Sequence, residues 1–260
     1  MYPSSVEQKI IDEAEKLMVE TMSRYDASHD AFHVRRVRKT ALALANSVTS
    51  ASTTKPDLLV VELDGRTAAL LHDVLDKKYV SPEQASDPYA YFLPFFQSTL
   101  AVQDELDLIA DGRARLITRI IDNISWKTEQ ALREKGLVTD WHRECVELHC
   151  VQDADRLDAI GAFGILRCAA YNAVTNQYEA HSTMIGQRLM FAILYSVLHA
   201  PAEDPANATS AIQHFYEKLL HISEQLKTEP GKRMGRKRHQ MLVGFLGAID
   251  EEYAGSLPAA

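Results

Sequence analysis

At 260 residues, 46% hydrophobic and 25% charged, the chain is long and apolar enough to bury a sizeable core in one large domain or two small ones. A formal net charge of −8 argues against a protein that holds long nucleic acid, while leaving room for a local basic pocket that takes a small anion. Three cysteines without CxxC spacing, no secretory signal and no uncharged apolar run near the length of a membrane span predict a soluble, cytoplasmic chain with thiols rather than a disulfide framework and no membrane partner.

Ser4-Ser5-Val6-Glu7 has capping-box spacing, and Val6, Ile10, Ala14, Leu17 and Met18 continue at helical intervals, predicting a first helix that ends near Arg24. A polar turn over 25–33 leads into a second helix, capped by Ser28 or Asp30. His33, Val37, Ala41 and Leu44 follow at spacings of four, four and three, so His33 lies on an inward stripe while Arg35, Arg38 and Lys39 point to solvent. Residues 50–54 form a small-polar linker, and Pro56 suits the first turn of a third helix, on which Val61, Gly65, His72 and Asp76 share a face. Residues 77–97, with Pro82, Pro88, Pro94 and six aromatics, read as a loop whose aromatics anchor it.

Helices are predicted over 98–110 and 113–125, separated at Asp111-Gly112, and 126–139 reads as polar loop. A helix then passes through Cys145 and Leu148, and 152–171 is helical, with alanines and glycines that permit close packing. An excursion over 175–208 holds one further helix, 184–199, and two last helices cover about 209–227 and 231–253, with Pro230 between them. The basic run at 232–239 reads as a solvated helix face. With no internal repeat and no alternating strand, the fold class is all-α in one domain.

The chemistry concentrates in LLHDVLD (70–76), where His72 and Asp73 are adjacent and Asp76 follows one turn after His72. His33 upstream and QDADRLDAIG (152–161) downstream supply further imidazole and carboxylate groups. These donors together suit a borderline divalent metal, and two His with two Asp leave coordination positions for water and a substrate oxygen. Neighbouring residues differ by about 100° around a helix, so His72 and Asp73 reach one ion only from a helix end or a local distortion.

The pattern H-x38-HD-x81-D, realised as His33, His72-Asp73 and Asp155, resembles the HD superfamily of metal-dependent phosphohydrolases. Five blocks in order, SHDAFHVRRV (28–37), LLHDVLDKKY (70–79), IIDNISWK (120–127), QDADRLDAIGAFGI (152–165) and HFYEKLL (214–220), resemble a small subfamily of HD hydrolases with bacterial nucleotide pyrophosphohydrolase members. The resemblance implies a single HD-type helical bundle, its metal-site core about 25–170 and a C-terminal helical extension about 171–260.

It also implies that His33, His72, Asp73 and Asp155 ligate one divalent ion, with Mn favoured over Co, Ni, Fe, Zn or Mg. Asp155 is chosen because the last ligand of the family is the Asp of an A-D-x-L segment; Asp153 and Asp158 then support the ligands or are structural. Asp76 matches an acidic residue that helps activate water, and its alternative role is a helix-end carboxylate bonded to Lys77, Lys78 or Arg36. Arg36 and Lys78 are the implied phosphate contacts, with Lys218 a third; His29 and Asp30 either line the site or form a turn and cap. Asn123 stands where related sequences often carry a histidine, and no added histidine pair of the two-metal kind is present. His142 and His149 suit a packed or surface face.

The implied reaction is cleavage of a nucleoside or deoxynucleoside triphosphate to monophosphate and pyrophosphate, so the expected partner is a small phosphorylated molecule. The alternatives are another HD phosphatase or phosphodiesterase, a di-iron oxygenase, and a nucleotide-binding protein without turnover. A homodimer is left open.

Overall fold

The computed structural model describes residues 2–23, 31–48, 55–63, 83, 86–102, 106–182 and 211–253. Among them the secondary structure is helical with no strand, the all-α class that the sequence predicts. No described helix is long and apolar enough to cross a membrane.

Helix α1 (Ser5–Met22) opens on a closed capping box: Ser4 Oγ accepts the Glu7 N–H at 3.2 Å, and the Glu7 carboxylate accepts the Ser4 N–H at 2.6 Å. It buries Ile10, Ile11, Ala14, Met18 and Met22. Helix α2 (Ala31–Ser47) buries His33, Val34, Val37, Ala41 and Leu44, so the inward stripe containing His33 is as predicted. Its expected caps, Ser28 and Asp30, lie outside the described residues, as do Gly65 and the helix expected over 184–199. After Pro56, the Asp57 carboxylate accepts the N–H groups of Leu59 and Val60 at 3.0 and 3.2 Å and starts α3 (Leu58–Leu63). The three helices pack on one another.

Arg38 departs from the expectation of solvent. Its Nε lies 3.0 Å from Glu62 Oε1 on α3, and Glu62 is only 2% exposed. A carboxylate buried that deeply requires a cation and hydrogen bonds around it; the Tyr2 hydroxyl also donates to it. Burial, then this carboxylate, pushes the Tyr2 phenol pKa up, keeping it protonated.

The loop expected over 77–97 is, in its described part, largely helix α4 (Pro88–Val102). Asp87 accepts the Ala90 N–H at 3.0 Å as a cap, and Pro88 occupies the first turn, where its missing N–H costs nothing. Pro94 is exposed, while Phe92 and Phe96 are 1% exposed on the opposite stripe. Burial of that aromatic stripe outweighs the helix-breaking tendency of one surface proline. Helix α5 (Arg113–Asn123) starts after the break expected at Asp111-Gly112, where Gly112 takes a left-handed φ of 85°.

The stretch read as loop from 126 is α6 (Trp126–Glu134), which has no fully buried residue and hence no clear apolar stripe in its sequence. Two further helices, α7 (Asp140–Glu144) and α8 (Val146–Asp158), are divided at Cys145, whose ψ of 100° is extended. The continuous helix expected over 152–171 is broken at Ala159-Ile160, and α9 (Gly161–Ser182) starts at a Gly161 φ of 78°. After α10 (Ala211–Glu217) comes a 3-10 helix, Leu219–Gln225, and then α11 (Glu229–Tyr253), with Pro230 inside the first turn rather than ahead of it.

The chain divides into two compact units. One comprises Met1–Tyr25, His29–Asp155 and Lys227–Gly231; the other comprises Asp26–Ser28, Arg156–Leu226 and Lys232–Ala260. In the first, α4 packs on α5, and α5 also meets α3 and α6. In the second, α10 packs on α9 and on the 3-10 helix, and Phe215 stacks on Phe245 at 5.8 Å.

Candidate metal centre

His33 and Asp155 are 122 positions apart in sequence and meet in the first unit: His33 Nε2 lies 3.6 Å from Asp155 Oδ1. The imidazole is 1% exposed and the carboxylate side chain 28% exposed, so one donor is held rigidly in the core while the other opens toward solvent. A separation of 3.6 Å is too long for a good hydrogen bond, and it suits two donors facing one ion at bonds of about 2.1 Å each. The donor chemistry, one imidazole nitrogen and one carboxylate oxygen, fits a borderline divalent cation. Among the described residues no group of three His, Cys, Asp or Glu gathers for a metal. His72 and Asp73, with Asp76, Lys78, His29 and Asp30, lie outside the described residues.

Asp153, two residues before Asp155, is spent on the fold. It is 0% exposed, and its two oxygens accept the Lys227 N–H at 2.8 and 3.1 Å, the Thr228 N–H at 2.7 Å and the Thr228 hydroxyl at 2.7 Å. Thr228 is itself the cap of α11, since its Oγ1 accepts the Gly231 N–H at 3.0 Å. A β-carbon on Gly231 would strike the Asp153 carboxylate and come within 2.7 Å of Thr228 Oγ1, so only glycine fits there. Asp158 accepts from Arg167 at 3.1 Å in the second unit. Arg36 is half-buried on α2, one turn beyond His33, and Lys218 is half-buried between α10 and the 3-10 helix.

A polar chain behind α8 escaped the sequence reading. His142 Nδ1 accepts the Thr139 N–H at 3.1 Å, which leaves its Nε2–H to donate to Asn123 Oδ1 at 3.1 Å. The Asn123 carbonyl accepts from Gln152 at 2.7 Å, and Lys227 Nζ joins Gln152 to Glu129, 3.2 Å away. No local pattern signals Lys227, because its partners are 75 and 98 positions distant and meet it only in the folded unit. A separate cleft of about 180 Å³ in this unit is lined by Tyr89, Arg115, Arg119 and Asp122, among others, with Arg115 stacked over the Tyr89 ring at 4.4 Å. None of the predicted site residues lines it.

Burial lowers the pKa values of His142, His149 and His214, and neighbouring cations lower all three further. His149 Nε2–H donates to the His142 carbonyl at 2.9 Å, which partly opposes the shift. With folded values below the unfolded one, the folded chain binds fewer protons, so stability is intact above the ordinary histidine pKa of about 6.5 and is lost as pH falls below it. Melting temperature is expected to drop between about pH 7.5 and 5.5, and His149→Gln to flatten that slope in a calorimetric pH series; an unchanged slope would remove His149 from the cause.

The chain has the fold of the HD-domain superfamily. It superposes on the crystal structure of an HD-superfamily hydrolase from Bacillus thuringiensis with a TM-score of 0.63 at 23% identity, covering 96% of this chain and 100% of that one. Bacillus subtilis (strain 168) YpgQ, an uncharacterized protein, is 27% identical over 231 residues, 88% of this chain and 86% of its own length. A crystal structure of Bacillus subtilis YpgQ in complex with ADP matches with a TM-score of 0.57 at 24% identity over 98% of each chain. No protein-family model matches.

Proposed function

We propose that the chain is a metal-dependent phosphohydrolase acting on nucleotides, releasing pyrophosphate from nucleoside or deoxynucleoside triphosphates. The observation that carries this reading is the 3.6 Å approach of the buried His33 to the half-buried Asp155, in a chain of HD-superfamily fold. His33 and Asp155, with His72 and Asp73, hold a single divalent ion, Mn by preference. When bound, such an ion lowers the pKa of water and offsets phosphoryl charge. Asp76 takes the proton from the attacking water, and Arg36 and Lys78 hold the phosphoryl oxygens, with Lys218, His29 and Asp30 as further contacts. Phosphate recognition thus depends on side chains.

The ADP complex of YpgQ supports a nucleotide as the ligand. It also favours a second reading, a nucleotide-binding protein without turnover. The deciding experiment is product analysis on a panel of nucleotides with Mn, Co, Ni and Mg, assaying pyrophosphate and orthophosphate separately. Monophosphate with pyrophosphate is the expected outcome. Orthophosphate alone would replace the proposal with a phosphatase, and metal-loaded protein that binds nucleotides without product would replace it with the second reading.

A further inference from the structure

The exposed face of α11 has a charge pattern that neither the metal centre nor its chemistry uses. Taking 100° per residue, Arg233, Lys237, Gln240, Gly244, Gly247 and Glu251 fall on one narrow stripe, and all six are exposed. Leu242 and Leu246 are buried on the opposite side, so the stripe is the outer face of this helix. Arg236 extends its basic end, and Asp250 and Glu252 extend the acidic end. Among the described residues, none of Arg233, Arg236, Lys237, Asp250, Glu251 and Glu252 has an ion-pair partner.

The middle of the stripe is small. Gly244 and Gly247 are poor residues for a helix interior, and a β-carbon at either would meet nothing within 4 Å, so packing within the chain does not call for them. Exposed Met241 and Val243, 50% and 51% accessible, flank this smooth centre. A second helix could lie close against it, as small residues let backbones approach.

We propose that this face pairs with the same face of a second copy of the chain, antiparallel, about a two-fold axis passing near residue 242. The pattern is self-complementary under that rotation, as an isologous contact requires. Arg233 of each copy comes opposite Glu251 of the other, Gln240 opposite Gly244, and the long Lys237 stem runs over the partner's Gly247 toward the acidic end. A parallel pairing would set like charges together and is disfavoured. The stripe spans about 27 Å, which places the contact at the small end of specific interfaces and makes association concentration- and salt-dependent.

The test is sedimentation velocity on the full chain across low to high micromolar concentrations, at low and at molar salt. The wild type is expected to form a dimer that salt weakens. Arg236→Glu/Lys237→Glu and Asp250→Lys/Glu251→Lys should each weaken self-association at least about tenfold, whereas an equimolar mixture of the two variants should form a heterodimer. Both changes are on exposed positions, and matched melting curves would check that both variants are folded. A wild type that stays monomeric throughout, variants that dimerise as well as the wild type, or folded variants whose mixture stays monomeric would each overturn the proposal.

Discussion

Asp155→Ala protein is expected to carry no divalent metal above background and to release pyrophosphate from nucleoside triphosphates only at the uncatalysed rate, while its metal-free form stays folded and loses less melting temperature than Asp153→Ala. The half-buried Asp155 carboxylate faces His33 across 3.6 Å, too long for a strong hydrogen bond between the two. Asp153→Ala, two residues away, should act through stability instead. It removes the acceptor for two backbone amides and a hydroxyl, at a position 0% exposed, and leaves the Thr228 N–H without its 2.7 Å partner. Unsatisfied buried donors put the loss on the order of 3–4 kcal/mol, or roughly 10 °C for a chain of this size. Elemental analysis, pyrophosphate release and calorimetry on the two variants separate these roles. Metal and turnover retained in Asp155→Ala would show that the centre is not built on His33 and Asp155.

Arg38→Met is expected to destabilise the chain by about 3–5 kcal/mol, because it takes a guanidinium away from the Glu62 carboxylate, which is 2% exposed. The Tyr2 hydroxyl remains as a donor but carries no charge. The double replacement Arg38→Met/Glu62→Leu should recover most of the loss, since an apolar pair of similar volume avoids the desolvation that the ion pair bears. Chemical denaturation of the two single variants and the double variant closes the cycle. If the double variant is as unstable as Arg38→Met alone, then packing, and not the loss of the buried ion pair, is the cause.

The inward stripe of α2 was legible because His33, Val37, Ala41 and Leu44 keep helical spacing, and α1 was legible because Ser4 and Glu7 cap it locally. Pro88 and Pro94 obscure α4, since prolines commonly break helices, although Asp87-Pro88 is a start signal and Phe92 and Phe96 form a stripe. Helix α6 offered no buried residue from which a period could be read. The position of Arg38 beside the stripe points to solvent, as such cations usually do; its partner lies 24 positions on and depends on how α2 meets α3. The His33–Asp155 approach is signalled only by the ordered blocks, since helical periodicity cannot pair residues on α2 and α8. Asp153 and Asp155 look alike in QDADRLD, and what separates them is that Lys227 and Thr228 approach one of them and occupy it.

The Asp153 clamp also fixes the route of the chain. Lys227 lies 74 positions after Asp153 and returns to the same carboxylate, so for the first unit the stretch Arg156–Leu226 is a single closed excursion. Closure entropy grows only with the logarithm of length, about 0.6 kcal/mol for a doubling. Insertions or deletions in that excursion beyond the end of α8 therefore reach α8 at little cost, provided both anchors remain. Removing the chain from Lys227 onward would instead open the ring and expose the Asp153 charge, which makes the last stretch of the sequence a condition for the helix that carries Asp155.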